Sequence, residues 1–240
     1  MASKSSLSPI GFVGIGAMGS VMAGHILASG RDVLGWDQRP EAVESLVQAG
    51  GRAAGSLDEV CAAPVVISMV TGDAGTRALA FGSGAMIVKL RPGAIHIAMS
   101  TITPAMSREL SVAHAAHGQR YLAASVFGRP EAATAAQLLV NASGEQDVYE
   151  AVRPILALLG KPRWVGPEPE QAMLVKLIGN SMIYAAVESM REMFTFLHAG
   201  GISEAVARDI LVDSLLPGPI YAGYARDYVA DPSSIHGIPI

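Results

Sequence analysis

Cysteine is almost missing from this sequence: Cys61 is the single one in 240 residues. No internal disulfide can form, and a reducing, cytoplasmic setting is the expectation. Charge is also sparse, at 16% of residues with a formal net charge of -4. The cations do not cluster, which argues against a nucleic-acid partner or an anionic membrane surface. The opening "MASKSSLSPI" lacks the apolar core of a signal peptide. No uninterrupted apolar run approaches the roughly 18 residues of a membrane span. The six histidines form no metal-ligand pattern. His114 and His117 lie one helical turn apart, but no cysteine or carboxylate completes a set, so both read as ordinary helix-face residues. What is abundant is apolar character, 50% of the chain, enough for one large domain or two small ones.

Short apolar runs alternate with helical patterns up to about Val165. "PIGFVGI" reads as a first strand, residues 18–29 as a helix stopped by Gly30, and "DVLGWD" as a second strand. Ser56 and Glu59 have the spacing of a capping box, which opens a short helix. "PVVISMV" and "AIHIAMS" are continuous apolar strands of the kind buried on both faces. Thr103 and Pro104 read as an N-cap and first-turn proline of a helix ending at Gly118. "YLAASV" and "QLLVNASG" add two strands. This alternation predicts an α/β, Rossmann-type doubly wound sheet over residues 1–167. From about Glu170 to Ala199 the pattern becomes one long helix, spanning roughly 45 Å at 1.5 Å per residue. Another helix follows from about Ser203. Residues 168–240 therefore read as an all-helical substrate and dimerisation domain, too small for a good core alone.

"GFVGIGAMGS" carries the first chemical signal. Gly14, Gly16 and Gly19 form G-x-G-x-x-G directly after a strand and at a helix start, with Ile15, Ala17 and Met18 between them. The first glycine permits the tight turn, the second lets backbone approach a pyrophosphate, and the third allows close helix–strand packing. The helix start adds free N–H groups and the positive end of its dipole. Asp37, eighteen residues after Gly19, ends the next strand and suits the two ribose hydroxyls of an adenosine. Its charge favours NAD over NADP. Arg39, with Gln38 between them, pulls the other way, because it could pair with a 2′-phosphate.

"LVKLIGNSM" carries the second. Lys176 stands inside an apolar helical stretch, with Asn180 four residues on and on the same face. Burial would lower the lysine pKa and suit it to proton transfer near neutral pH. A lysine snorkelling at a helix edge gives the same pattern, and the spacing does not separate the two.

Four segments together resemble the β-hydroxyacid dehydrogenase family, which includes 3-hydroxyisobutyrate dehydrogenase. They are the glycine loop, "MSTITP" (99–104), "YLAASVFGRPEAATA" (121–135) and "KLIGN" (176–180). The resemblance implies hydride transfer between a nicotinamide and a small 3-hydroxy acid or semialdehyde, with no metal. It implies that Lys176 is the general acid/base, that Asn180 orients substrate and lysine, and that Ser100 hydrogen-bonds the substrate. Thr101 would lie beside the nicotinamide, and the backbone at Met69, Val70 and Thr71 would line the cofactor.

The sequence also departs from that family. Ala98 and Ala123 replace aspartates, and Glu170 and Ala172 replace glycines ahead of the lysine. In the substrate loop Phe127 replaces a serine and Arg129 a glycine, on either side of Gly128. Phe127 would add an apolar wall. Arg129 could restore carboxylate binding with a bidentate fork, or point to solvent. Related imine reductases usually carry aspartate or tyrosine at the Lys176 position, which weighs against that alternative. Some relatives in chromatin bind nucleotide without catalysis, a third reading. The family usually runs about fifty residues further, so "DPSSIHGIPI" reads as a truncated helical domain that would pair with a second copy.

Overall fold

The computed structural model describes residues 7–231. The readings placed on the first six residues and on residues 232–240 lie outside those described. Among the described residues the apolar runs become strands β1 (Ile10–Val13), β2 (Val33–Trp36), β3 (Arg52–Ala53), β4 (Val65–Ser68), β5 (Ile95–Ala98), β6 (Arg120–Phe127), β7 (Leu138–Ser143) and β8 (Gly160–Gly166). They form one sheet in the order β3-β2-β1-β4-β5-β6-β7-β8. Every neighbouring pair is parallel except β6 and β7, which run antiparallel. The parallel pairs need crossover connections, and helices supply them.

Those helices are α1 (Ala17–Ala28), α2 (Glu44–Gln48), α3 (Leu57–Cys61), α4 (Gly72–Phe81), α5 (Met86–Lys89), α6 (Pro104–Ala116), α7 (Pro130–Thr134) and α8 (Gln146–Leu156). They divide between the two faces of the sheet. Ile10, Phe12, Ile67, Ile97 and Leu122 point to one face, where Met22 and Ile26 of α1 and Val152 and Ile155 of α8 cover them. Val13, Val66, Ala98 and Ala123 point to the other, against Val60 of α3, Met86 of α5 and Leu110 of α6. Both faces are therefore dry, and a run such as β4 is buried at all four positions. Each fully buried large side chain stabilises the fold by about 1.5–3 kcal/mol. The doubly wound, Rossmann-type expectation is the fold observed.

Local signals hold at the helix ends. Thr103 Oγ1 accepts the Met106 N–H at 3.2 Å, Pro104 occupies the first turn, and Gly118 closes α6 at φ +66°. Ser56 Oγ accepts the Glu59 N–H at 3.4 Å, while the Glu59 carboxylate accepts from Gly55 rather than from Ser56 itself, one residue off the ideal box. The sequence missed β8, whose alternating half-exposed residues follow an edge-strand pattern rather than an apolar run.

The long helix is α9 (Gln171–Ala199), followed by α10 (Glu204–Ala207), a π-helical segment over Arg208–Leu215, and α11 (Pro219–Ala230). Ser203 caps α10 through the Val206 N–H. The chain divides into two compact units within α9, between Lys176 and Leu177, where the sequence had suggested residue 167. The first turn of α9 stays with the sheet because Ala172 and Met173 are fully buried against Ile102, Met106 and Tyr121. The second unit has its own small core of Val187, Met190, Phe194, Ala207, Val212 and Ala225, with Phe194 and Tyr228 stacked at 4.6 Å.

Candidate active site at the strand ends

The glycine loop joins β1 to α1 at the carboxyl edge of the sheet, where ligands of open α/β sheets bind. Gly14 takes φ +89°, a left-handed conformation that glycine adopts without strain. A Cβ there would strike the Met69 carbonyl, and one on Gly19 would strike the Gly14 carbonyl. Gly16 differs, since a Cβ there would meet nothing within 4 Å. No side chain caps the first turn of α1. Two glycines thus serve the turn and one leaves open space over bare N–H groups. That arrangement fits a pyrophosphate.

Asp37 faces the same loop. Its Oδ2 accepts the Ile15 N–H at 2.9 Å and its Oδ1 accepts the Arg39 N–H at 3.0 Å. Arg39 Nε also lies 3.5 Å from Oδ1, so the cation turns back onto the carboxylate. Gln38 is exposed beside them. A carboxylate oxygen accepts more than one hydrogen bond, so Asp37 keeps capacity for ribose hydroxyls.

The loops after β4 and β5 are tied together. The Val70 N–H donates to Ser100 Oγ at 2.8 Å, and Ser100 is buried. One turn on, the Asp73 carboxylate accepts both the Thr103 N–H at 2.8 Å and the Thr103 hydroxyl at 2.6 Å. Met69 and Val70 are half-buried, Thr71 is exposed at the start of α4, and Thr101 is half-buried. The structure brings Gly14, Met69, Val70 and Ser100 into one continuous chain of contacts.

The start of α9, which carries Lys176, is held by a second set of bonds. Ser125 Oγ donates to the Ala172 carbonyl at 2.8 Å, and Ser143 Oγ accepts the Ala172 N–H at 2.9 Å. Ser107 and Ser143 both donate to the Pro169 carbonyl. One turn after Ala172, the Lys176 ammonium sits 4.5 Å from the centroid of the Phe127 ring. Burial pushes the Lys176 pKa down, and no carboxylate among the described residues pairs with it. Asn180 is half-buried one turn further along α9. Gly128 and Arg129 are exposed past the end of β6, with Arg129 Nε 3.9 Å from a Glu131 carboxylate oxygen.

One buried cluster escaped the sequence reading. His114 is fully buried rather than a helix-face residue, because α6 turns it toward the sheet. Gln119 Nε2 donates to the Ile87 and Leu90 carbonyls, so Gln119 Oε1 must accept from His114 Nδ1, at 2.7 Å. His114 Nε2 then accepts from His96 Nδ1, and His96 Nε2 accepts from Ser68, both at 2.8 Å. Both imidazoles are neutral. Burial lowers the His96 pKa well below its usual value and the His114 pKa to about 4. A histidine in the otherwise apolar "AIHIAMS" was the available signal. His117 is exposed, and no group of three metal-ligating side chains occurs among the described residues.

A parallel sheet with an open glycine loop at its carboxyl edge and an acidic residue on the next strand defines a dinucleotide-binding protein. The family described as the NAD binding domain of 6-phosphogluconate dehydrogenase matches residues 9–179, and the chain belongs to it. The oxidoreductase YfjR of Bacillus subtilis, itself uncharacterised, is 31% identical over 90% of this chain and 76% of its own length. The 3-hydroxyisobutyrate dehydrogenase of Pseudomonas aeruginosa is 28% identical over 87% of this chain and 70% of its own. The nuclear factor N-PAC of Danio rerio is 29% identical, but this chain spans only 44% of its length. Among solved structures, Psf3 in complex with NADP+ and 2-OPP superposes with a TM-score of 0.86 at 24% identity, over 93% of this chain and 79% of that one. That likeness shows the fold. The family is one of nucleotide-dependent oxidoreductases. No helix among the described residues is long and apolar enough to cross a membrane.

Proposed function

We propose that this chain is an NAD-dependent dehydrogenase or reductase acting on a small 3-hydroxy acid or its semialdehyde. The nicotinamide, when bound, supplies the hydride chemistry. Gly14, Gly16 and Gly19, with Ile15, Ala17 and Met18, would cradle the pyrophosphate, and Asp37 would hold the adenosine ribose. The Asp37 carboxylate supports NAD, because its charge would repel a 2′-phosphate, and Arg39, the cation that could attract one, is turned onto Asp37 instead. Met69, Val70, Thr71 and Thr101 would line the nicotinamide. Ser100, whose oxygen already accepts from Val70, has its O–H to donate to substrate.

Lys176 carries the reading. A half-buried ammonium whose pKa is lowered by burial, with no carboxylate to hold its proton, is suited to give a proton to a carbonyl oxygen or take one from an alcohol. Asn180, one turn away, would orient the substrate, and Phe127, Gly128 and Arg129 would form its wall. A cytoplasmic homodimer or larger assembly belongs to the same reading. The apolar wall at Phe127 also suits an imine substrate, and a panel of aldehydes and cyclic imines offered with reduced cofactor would separate the two.

The test is Lys176→Met. Alcohol oxidation should fall at least about a thousandfold, within the range of general acid–base catalysis, while cofactor affinity stays within about twofold. Turnover that survives the substitution would remove the assigned role.

A further inference from the structure

Ser125 and Phe127 are two residues apart on β6, so both side chains project from one face of the sheet, the face on which α9 begins. Ser125 grips the Ala172 carbonyl. In a regular helix that carbonyl also receives the N–H of Lys176, four residues on. Phe127 presents its ring to the Lys176 ammonium at 4.5 Å. All four residues belong to the first compact unit.

We propose that Phe127 is a positioning residue for Lys176: its ring face seats the ammonium at the end of β6, keeps water from it, and makes the adjoining wall fit an apolar substituent on the substrate. The proposal rests on the reading of Lys176 as the proton-transferring group. Two opposed effects meet at the lysine. Exclusion of water disfavours the charged form, and the negative face of the ring favours it. Desolvation prevails, since the net displacement of the pKa is downward. No carboxylate from α9, β6 or β7 pairs with the ammonium among the described residues, and Arg129, past the end of β6, lies near Glu131 instead.

These effects separate by substitution. Phe127→Leu keeps the apolar cover and removes the ring face, so the titration midpoint of Lys176 should fall by about half a pH unit. Phe127→Ser removes both and admits water, so the midpoint should rise toward that of an ordinary lysine. Phe127→Tyr keeps the ring and should leave it unchanged. The midpoint is read on the free protein by competitive acetic anhydride labelling across pH, with the Lys176 peptide quantified by mass spectrometry. Phe127→Met replaces the leucine variant should that one fail to fold. Opposite shifts for the apolar and the serine variants support the proposal. An unchanged midpoint in the leucine or methionine variant, or a rise in both classes, overturns it. The labelling needs no substrate or cofactor, so its outcome stands apart from the fate of Lys176→Met turnover.

Discussion

Strands β1, β2 and β4 and strands β5 to β7 both end in loops that the proposed reaction uses, but they hold those loops by different means. On the nucleotide side the backbone does the holding. Gly14 and Gly19 stand where a Cβ would strike a carbonyl, and Asp37 is fixed by two main-chain N–H groups. On the other side it is side chains that do it, most of them buried. Ser100 receives Val70, Asp73 receives Thr103, Ser125 and Ser143 grip Ala172, and two neutral histidines link β4 and β5 to α6. Steric need for glycine leaves few alternatives at a position. A serine or histidine bond leaves many.

The largest expected effect breaks the backbone side. Gly19→Ala should cost roughly 3 kcal/mol of stability, since its Cβ meets backbone that cannot rotate away, and should abolish nucleotide binding. Thermal unfolding with and without NADH checks both. A variant as stable as the parent would show that the loop tolerates displacement.

The next effect probes the side-chain network. His114 is neutral in the fold and titrates near 4, whereas the unfolded chain takes up that proton near 6.5. The unfolded state therefore binds more protons between those values. The His114 share of stability is complete above about pH 6.5 and falls as pH drops toward 4, by about 3 kcal/mol, and His96, also buried neutral, adds a further loss in the same direction. Urea unfolding between pH 7 and 4.5 reads the slope, and His114→Gln should make it shallower, with His96 supplying the slope that remains. Equal stability at both pH values in the parent protein would contradict the neutral pair.

The smallest effect on stability is expected at Gly16→Ala. Its φ of −78° suits any residue and its Cβ would meet nothing, so unfolding should be unchanged. A methyl over the open N–H groups should still weaken nucleotide binding at least about tenfold, some 1.4 kcal/mol. Unaltered affinity would mean that the phosphates lie elsewhere.

The same contrast explains how much was legible beforehand. The glycine spacing, Asp37, the Thr103 cap and the apolar strands are local patterns, and each falls where the sequence placed it. The links between Phe127 and Lys176 and between His96 and His114 join residues 49 and 18 apart in the chain, and no local period encodes them. Strand β8 was missed because a half-exposed edge lacks the continuous apolar run that marks β4 and β5. Arg129 was left between two roles, and the structure sets it near Glu131.

The most direct test of the nucleotide site uses the half-buried Trp36, which adjoins Asp37. In a Trp164→Phe background it is the reporting tryptophan, since the sequence contains two. Titration with NADH should change its fluorescence saturably, and NADPH should bind at least about tenfold more weakly because of the Asp37 carboxylate. Tighter binding of NADPH, or no response to either nucleotide, would contradict the account.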